Sequence, residues 1–155
     1  MKTVLLRCKY IKLLIFLSAI FTSNYLSAES LAIFSANDDF KKLSAGKAKM
    51  LFKGKVKRLN NQKYSLVDWP AGSDIKIQFY NDLLEQSESQ INATRAKLIF
   101  SGRGFPPKEM DKNNFESLQK FLLAHPNSIG YAPASLISDE FNLLFILQTE
   151  SNDEK

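Results

Sequence analysis

The chain has 155 residues, with 21 Lys and Arg against 16 Asp and Glu, one His and one Cys. That length suits a single domain, and one histidine with one cysteine leaves only carboxylates for a first-row metal site. Four cations (Lys2, Arg7, Lys9 and Lys12) precede residue 29 and no acid does, so the remainder carries 17 against 16, net +1. So even a balance excludes the strongly basic class that binds nucleic acid.

The first 28 residues have the layout of a cleavable export signal. The basic start runs into an apolar stretch from Ile11 to Phe21, and the small residues Ser27 and Ala28 follow. The stretch is shorter than the roughly 20 apolar residues of a membrane span. Cleavage is expected near Ala28, although Leu26 departs from the small-residue preference at its position. The only cysteine, Cys8, precedes the apolar run, where a lipid-anchoring cysteine would follow it. The mature chain is then free of cysteine, which excludes disulfides and thiolate chemistry. The expected location is a bacterial periplasm, with no stable membrane span after cleavage.

Leu31 to Phe34 reads as a buried strand. Ser44 is a good N-cap for a helix carrying Ala45, Ala48, Leu51 and Phe52 on one face, and Gly54 closes it. Tyr64 to Val67 reads as a short strand, followed by the turn cluster Asp68 to Ser73. Asp74 to Tyr80 alternates, with Ile75, Ile77 and Phe79 on one side, and is read as a strand. Asn81 to Leu98 is helical with a break near Ser87, and Ser101 to Pro107 is a loop. Asn113 or Asn114 caps a helix with the stripe Phe115, Leu118, Phe121 and Leu122, which Pro126 stops. Ile129 to Ala132 and Phe141 to Leu147 are strands, the second apolar enough to be central. Residues 149–155 form a charged tail. The domain is therefore expected over 29–148, and strands alternating with helices predict an α/β layer with a mixed sheet flanked by helices.

Several stretches together resemble the phosphate-type periplasmic substrate-binding proteins. Leu43-Ser44 with Leu51-Phe52-Lys53-Gly54-Lys55, Asp68-Trp69-Pro70-Ala71-Gly72, Leu98-Ile-Phe-Ser-Gly-Arg-Gly-Phe-Pro-Pro107 and Ser128-Ile-Gly-Tyr131 follow the order of that family's motifs. The resemblance implies a type II periplasmic-binding-protein-like fold, here with length for a single lobe. It also implies anion binding in a cleft between two lobes, by an Arg and a Ser-Gly-Thr-like loop following the strand matched to Ile75 to Phe79. Tyr80 to Gln86 stands there instead, without Arg, Gly, Ser or Thr and with two acids. Phosphate binding is therefore not expected to carry over.

Eight cations and no acid lie between Lys41 and Arg58. They form either a solvated face or a basic surface for an acidic partner or anionic solute. Ser101-Gly102-Arg103-Gly104 is either a glycine-permitted turn or a set of N–H donors with a guanidinium for an anion. Gly46-Lys47 and Gly54-Lys55 lack the spacing of a phosphate loop. His125, before a proline, fits a helix C-terminal cap. The pairs Asp38-Asp39 and Asp139-Glu140 point apart and do not form a carboxylate dyad. Trp69 either packs on the core or lines a cleft, and Tyr131 is the second aromatic of interest.

These readings predict a non-catalytic accessory binding or interaction module with a degenerate phosphate site and no cofactor. The candidate ligand-binding residues are Lys49, Lys53, Lys55, Ser101 and Arg103, and the expected partner is a periplasmic protein or a small anionic solute. The alternative is a functional anionic-solute component of an ABC-type uptake or sensing system.

Overall fold

The computed structural model describes residues 29–147, so the expected signal and tail lie outside the described residues. Five strands, β1 (Leu31–Ser35), β2 (Ser65–Asp68), β3 (Lys108–Glu109), β4 (Ser128–Pro133) and β5 (Asn142–Ile146), form one sheet in the order β3-β2-β4-β1-β5. β2 runs parallel to β3 and β4, whereas β1 is antiparallel to β4 and β5, so the sheet is mixed as expected. Every residue of β1 is buried, in keeping with its central place. The two-residue β3 was not foreseen from sequence, and Phe141 to Leu147, expected to be central, supplies β5 at the sheet's edge, where only one of its five residues is buried.

Four helices accompany the sheet: α1 (Ala45–Phe52), α2 (Asp74–Leu84), α3 (Glu88–Phe100) and α4 (Phe115–Ala124). Their ends follow local chemistry. Ser44 Oγ accepts the Lys47 N–H at the start of α1, and Gly54, at φ +74°, lies just past its end. Asn114 accepts the Ser117 N–H for α4, and His125 closes that helix by donating its own N–H to Phe121 and Leu122 carbonyls. Ser87 and Gln90 exchange bonds in a capping box that begins α3, which places the break where it was expected.

The helices cover both faces. Successive strand residues point to opposite sides, and on β4 Tyr131 meets Phe52 of α1 and Phe79 of α2. The next-door Gly130 faces α4, where a Cβ would come within 3.2 Å of Leu118 and 3.3 Å of Leu122. Glycine is needed there because the helix lies directly on the backbone. Phe34 stacks edge-on to Phe141 on a further part of the same core.

One expectation is overturned. Asp74 to Tyr80 is the first two turns of α2, not a strand. Its buried residues are Lys76, Phe79, Tyr80, Leu83 and Leu84, spaced three and four apart as a helix face requires. Ile77 of the supposed strand face is exposed. The alternation of Ile75, Ile77 and Phe79 misleads because the residue between the first two, Lys76, is itself buried, its side chain 2 % exposed.

Candidate functional site: a strand-to-helix turn filled by carboxylates

With α2 in place, the stretch that follows a strand and opens a helix is Trp69 to Ser73, between β2 and α2. Tyr80 to Gln86, where the sequence reading sought the anion loop, is instead the end of α2 and its connection to α3. The β2–α2 turn carries the N–H groups and the helix N-terminus that favour an anion. Asp74 is an acid in that first turn.

The turn is already supplied with negative charge from within the chain. The Ala71 N–H donates to Glu109 Oε1 at 3.2 Å, and the Gly72 N–H donates to Glu88 Oε2 at 3.1 Å. The ammonium of Lys76, one turn into α2, lies 3.1 Å from each of the same two carboxylates, at Glu109 Oε2 and Glu88 Oε1. Glu88 comes from the start of α3 and Glu109 from β3, so three separate elements converge on the turn. Ser73, the N-cap of α2, makes no capping bond, and its buried Oγ has no hydrogen-bond partner.

Beneath the turn lies a buried polar network. Asp68, the last residue of β2, accepts bonds from the hydroxyls of Tyr80 at 2.6 Å and Tyr131 at 2.7 Å. It also accepts from Arg95 Nη1 at 3.0 Å and lies 3.7 Å from Lys76 Nζ. Arg95 Nη2 donates to the Phe52 carbonyl at 3.0 Å and to the Tyr80 hydroxyl at 2.8 Å. Trp69 Nε1 donates to the Tyr131 carbonyl at 2.7 Å, which settles that tryptophan as a core group. Phe79 stacks on Tyr131 with 3.6 Å between ring centroids and 9° between planes.

The electrostatics follow from this packing. Burial, reinforced by the Asp68 charge, raises the pKa of both Tyr80 and Tyr131 well above the ordinary phenol value. Burial alone would lower Lys76, but Asp68, Glu109 and Glu88 together lift it above its usual value, so it stays an ammonium. The Lys76 hydrogen bond holds Glu109 below the ordinary carboxylate value. A charged lysine is no nucleophile at neutral pH. Among the described residues no group of three or more His, Cys, Asp or Glu could hold a metal ion.

The sequence-predicted residues lie elsewhere. Lys49 of α1 pairs with Glu85 at 3.2 Å. Lys53 is the C-cap of α1, and Lys55 is exposed beyond Gly54. Ser101 caps the end of α3, with its Oγ donating to the Leu98 carbonyl at 3.0 Å, and Arg103 is exposed on the following loop. The fold does bring the Gly102–Gly104 loop against Gly54, since a Cβ on Gly104 would lie 3.9 Å from the Gly54 carbonyl. Arg103 therefore lies on a loop that approaches Gly54, the residue between Lys53 and Lys55, while Lys49 is engaged with Glu85 at the end of α2. Sequence reasoning missed Lys76, Glu88, Arg95 and Glu109. The available signal was Lys76 itself, which completes the helical spacing of α2.

No family model matches the chain, and no curated protein does. Solved structures share its fold, two of them phosphate receptors. One is an ABC-type phosphate transport receptor from Vibrio cholerae, with 14 % identity and a TM-score of 0.55, covering 75 % of this chain and 45 % of that one. The other is a putative phosphate ABC transporter substrate-binding protein with bound phosphate from Clostridium perfringens, with 15 % identity and a TM-score of 0.56, covering 75 % of this chain and 44 % of that one. The chain therefore spans less than half the length of these two structures. The α/β mixed-sheet fold is that of a single lobe of phosphate-type substrate-binding proteins, as the sequence motifs implied. No helix among the described residues is long and apolar enough to cross a membrane.

Proposed function

We propose that this chain is a non-catalytic, exported, substrate-binding-protein-like domain that serves as an accessory binding or interaction module with a degenerate phosphate site. The observation that carries this reading is the filled turn between β2 and α2. Its N–H donors at Ala71 and Gly72, and the adjacent Lys76 ammonium, are engaged by Glu109 and Glu88. A free oxyanion would have to displace two tethered carboxylates, whose local concentration is far higher than that of a dilute solute. Asp68, placed beneath the turn, adds a further negative charge. The resemblance supports the fold, and the basic segment from Lys41 to Arg58 supports an acidic protein partner or a small anionic solute.

Calorimetric titration of the purified protein with phosphate and with sulfate tests the reading. The expected result is no saturable heat. Binding tighter than about 10 µM, or about −7 kcal/mol, would instead make the chain a working solute-binding component of an uptake or sensing system. The unpartnered Ser73 hydroxyl is the feature that favours this second reading. Glu88→Gln with Glu109→Gln, which removes both internal charges, is expected to weaken the internal grip and to permit measurable phosphate binding.

A further inference from the structure

A different part of the molecule has the opposite character. A cavity of about 440 Å³ opens between the segment after Gly54, the beginning of β2 and the loop that follows α3. That volume lies in the range of sites for small organic ligands, roughly 300–1,000 Å³. Its carbon lining comes from Val56, Tyr64 and Leu66 within the fold and from the exposed Phe105 and Pro106 at its rim. Two cations, Lys57 and Arg103, complete the lining, and no acidic residue contributes to it. Among the described residues neither cation has a carboxylate within ion-pair distance. The Tyr64 hydroxyl is already committed to the Val56 carbonyl.

Three glycines shape this opening. Gly54 and Gly102 take φ of +74° and +67°, a region costly for residues with a Cβ. Gly104 is held against α3, where a Cβ would meet that of Leu98 at 3.1 Å. The loop bearing Arg103 is thus set against the segment bearing Lys57 by backbone geometry.

We propose that this cavity binds a small organic anion with an apolar body, such as an aromatic or short-chain aliphatic carboxylate. The two unpaired cations select a negative group, by charge-assisted bonds in the case of Arg103. The carbon walls reward an apolar body and give a hydrated inorganic ion nothing in return for its water. The site uses Ser65 and Leu66 at the beginning of β2, whereas the carboxylate-filled turn follows Asp68 at its end. The inference is therefore separate from the phosphate site, and it rests on the small-anionic-solute reading of the basic segment, to which Lys57 belongs.

Fluorescence titration with 1-anilinonaphthalene-8-sulfonate, an aromatic sulfonate, is the direct test. Saturable binding is expected, with displacement by octanoate and not by octanol or inorganic phosphate. Arg103→Glu and Lys57→Glu, both at exposed positions, are expected to weaken binding about tenfold or more, equivalent to about 1.4 kcal/mol, with unchanged circular dichroism. Titration of ¹⁵N-labelled protein with octanoate is expected to shift the amide signals of Gly54, Gly102 and Gly104. Non-saturable fluorescence, displacement by octanol as effective as by octanoate, or unchanged affinity in both charge variants would overturn the proposal. Glu88→Gln with Glu109→Gln is expected to leave this affinity unaltered, so a failed phosphate reading and a failed cavity remain distinguishable.

Discussion

The two ends of β2 treat charge in contrasting ways. At its C-terminal end, the charges of Asp68, Lys76, Arg95, Glu88 and Glu109 are paired with one another, and most of the donors around them are used within the chain. At its N-terminal end, Lys57 and Arg103 border an open cavity without acidic neighbours among its lining. Charges that satisfy one another hold a fold in a single arrangement, whereas charges left without partners are available to something else. The first region is expected to govern stability and the second binding.

The largest effect that would break this contrast is expected at Arg95. Arg95→Met leaves Asp68 buried without its bonded cation, and breaking such a pair costs about 3–5 kcal/mol. Urea unfolding measures it, and the companion Asp68→Asn/Arg95→Met variant is expected to recover part of the loss. A cost below about 1 kcal/mol would show that the network is not the structural centre of the lobe. Lys76→Met is expected to cost less, about 1–3 kcal/mol, since Arg95 still serves Asp68 and Glu109 can turn to water. Its side-chain exposure of 52 % allows that release.

Titration sharpens the same contrast. Outside the expected signal the chain has three tyrosines, Tyr64, Tyr80 and Tyr131. Burial pushes Tyr64 up to about 12 and the other two well above 10.0. Their folded values are raised, so the stability they contribute is complete below the ordinary phenol value and is lost as pH rises beyond it. Absorbance at 295 nm is expected to show no phenolate titration near pH 10 in the folded protein, only ionisation coincident with unfolding. Glu109 behaves with the opposite sign. Its folded value is lowered, so its stabilisation is present above the ordinary 4.5 and is lost as pH falls below it. Glu109→Gln is expected to flatten acid unfolding in that window.

The smallest effects belong to the open end. Arg103→Ala and Lys57→Ala, which remove exposed side chains without ion pairs among the described residues, are expected to change unfolding free energy by no more than about 0.5 kcal/mol. A larger loss on urea unfolding would place these cations in the structural scaffold and erase the difference between the two ends.

Much of the fold was legible because its signals are local. Ser44, Gly54, Ser87, Asn114 and His125 mark helix ends through bonds to residues three or four positions away, and sequence displays such neighbours directly. The apolar runs at Leu31 to Phe34 and Ile129 to Ala132 announced two strands of the sheet, although the apolar run at Phe141 to Leu147 did not reveal that its strand lies at the edge. The motif order also indicated the lobe that the solved structures share.

The filled turn was not legible, because its partners are far apart along the chain. Asp68 meets Arg95 across 27 positions and Tyr131 across 63. Lys76 takes its carboxylates from Glu88 and Glu109. By itself, the sequence determined the caps, the core strands and the α/β layering, since those depend on neighbouring residues and on apolar burial. Only the tertiary structure decided that residues 74–80 belong to a helix and that the turn before it is occupied. A lysine can be buried only where distant carboxylates converge to neutralise it, and convergence is a property of the folded chain.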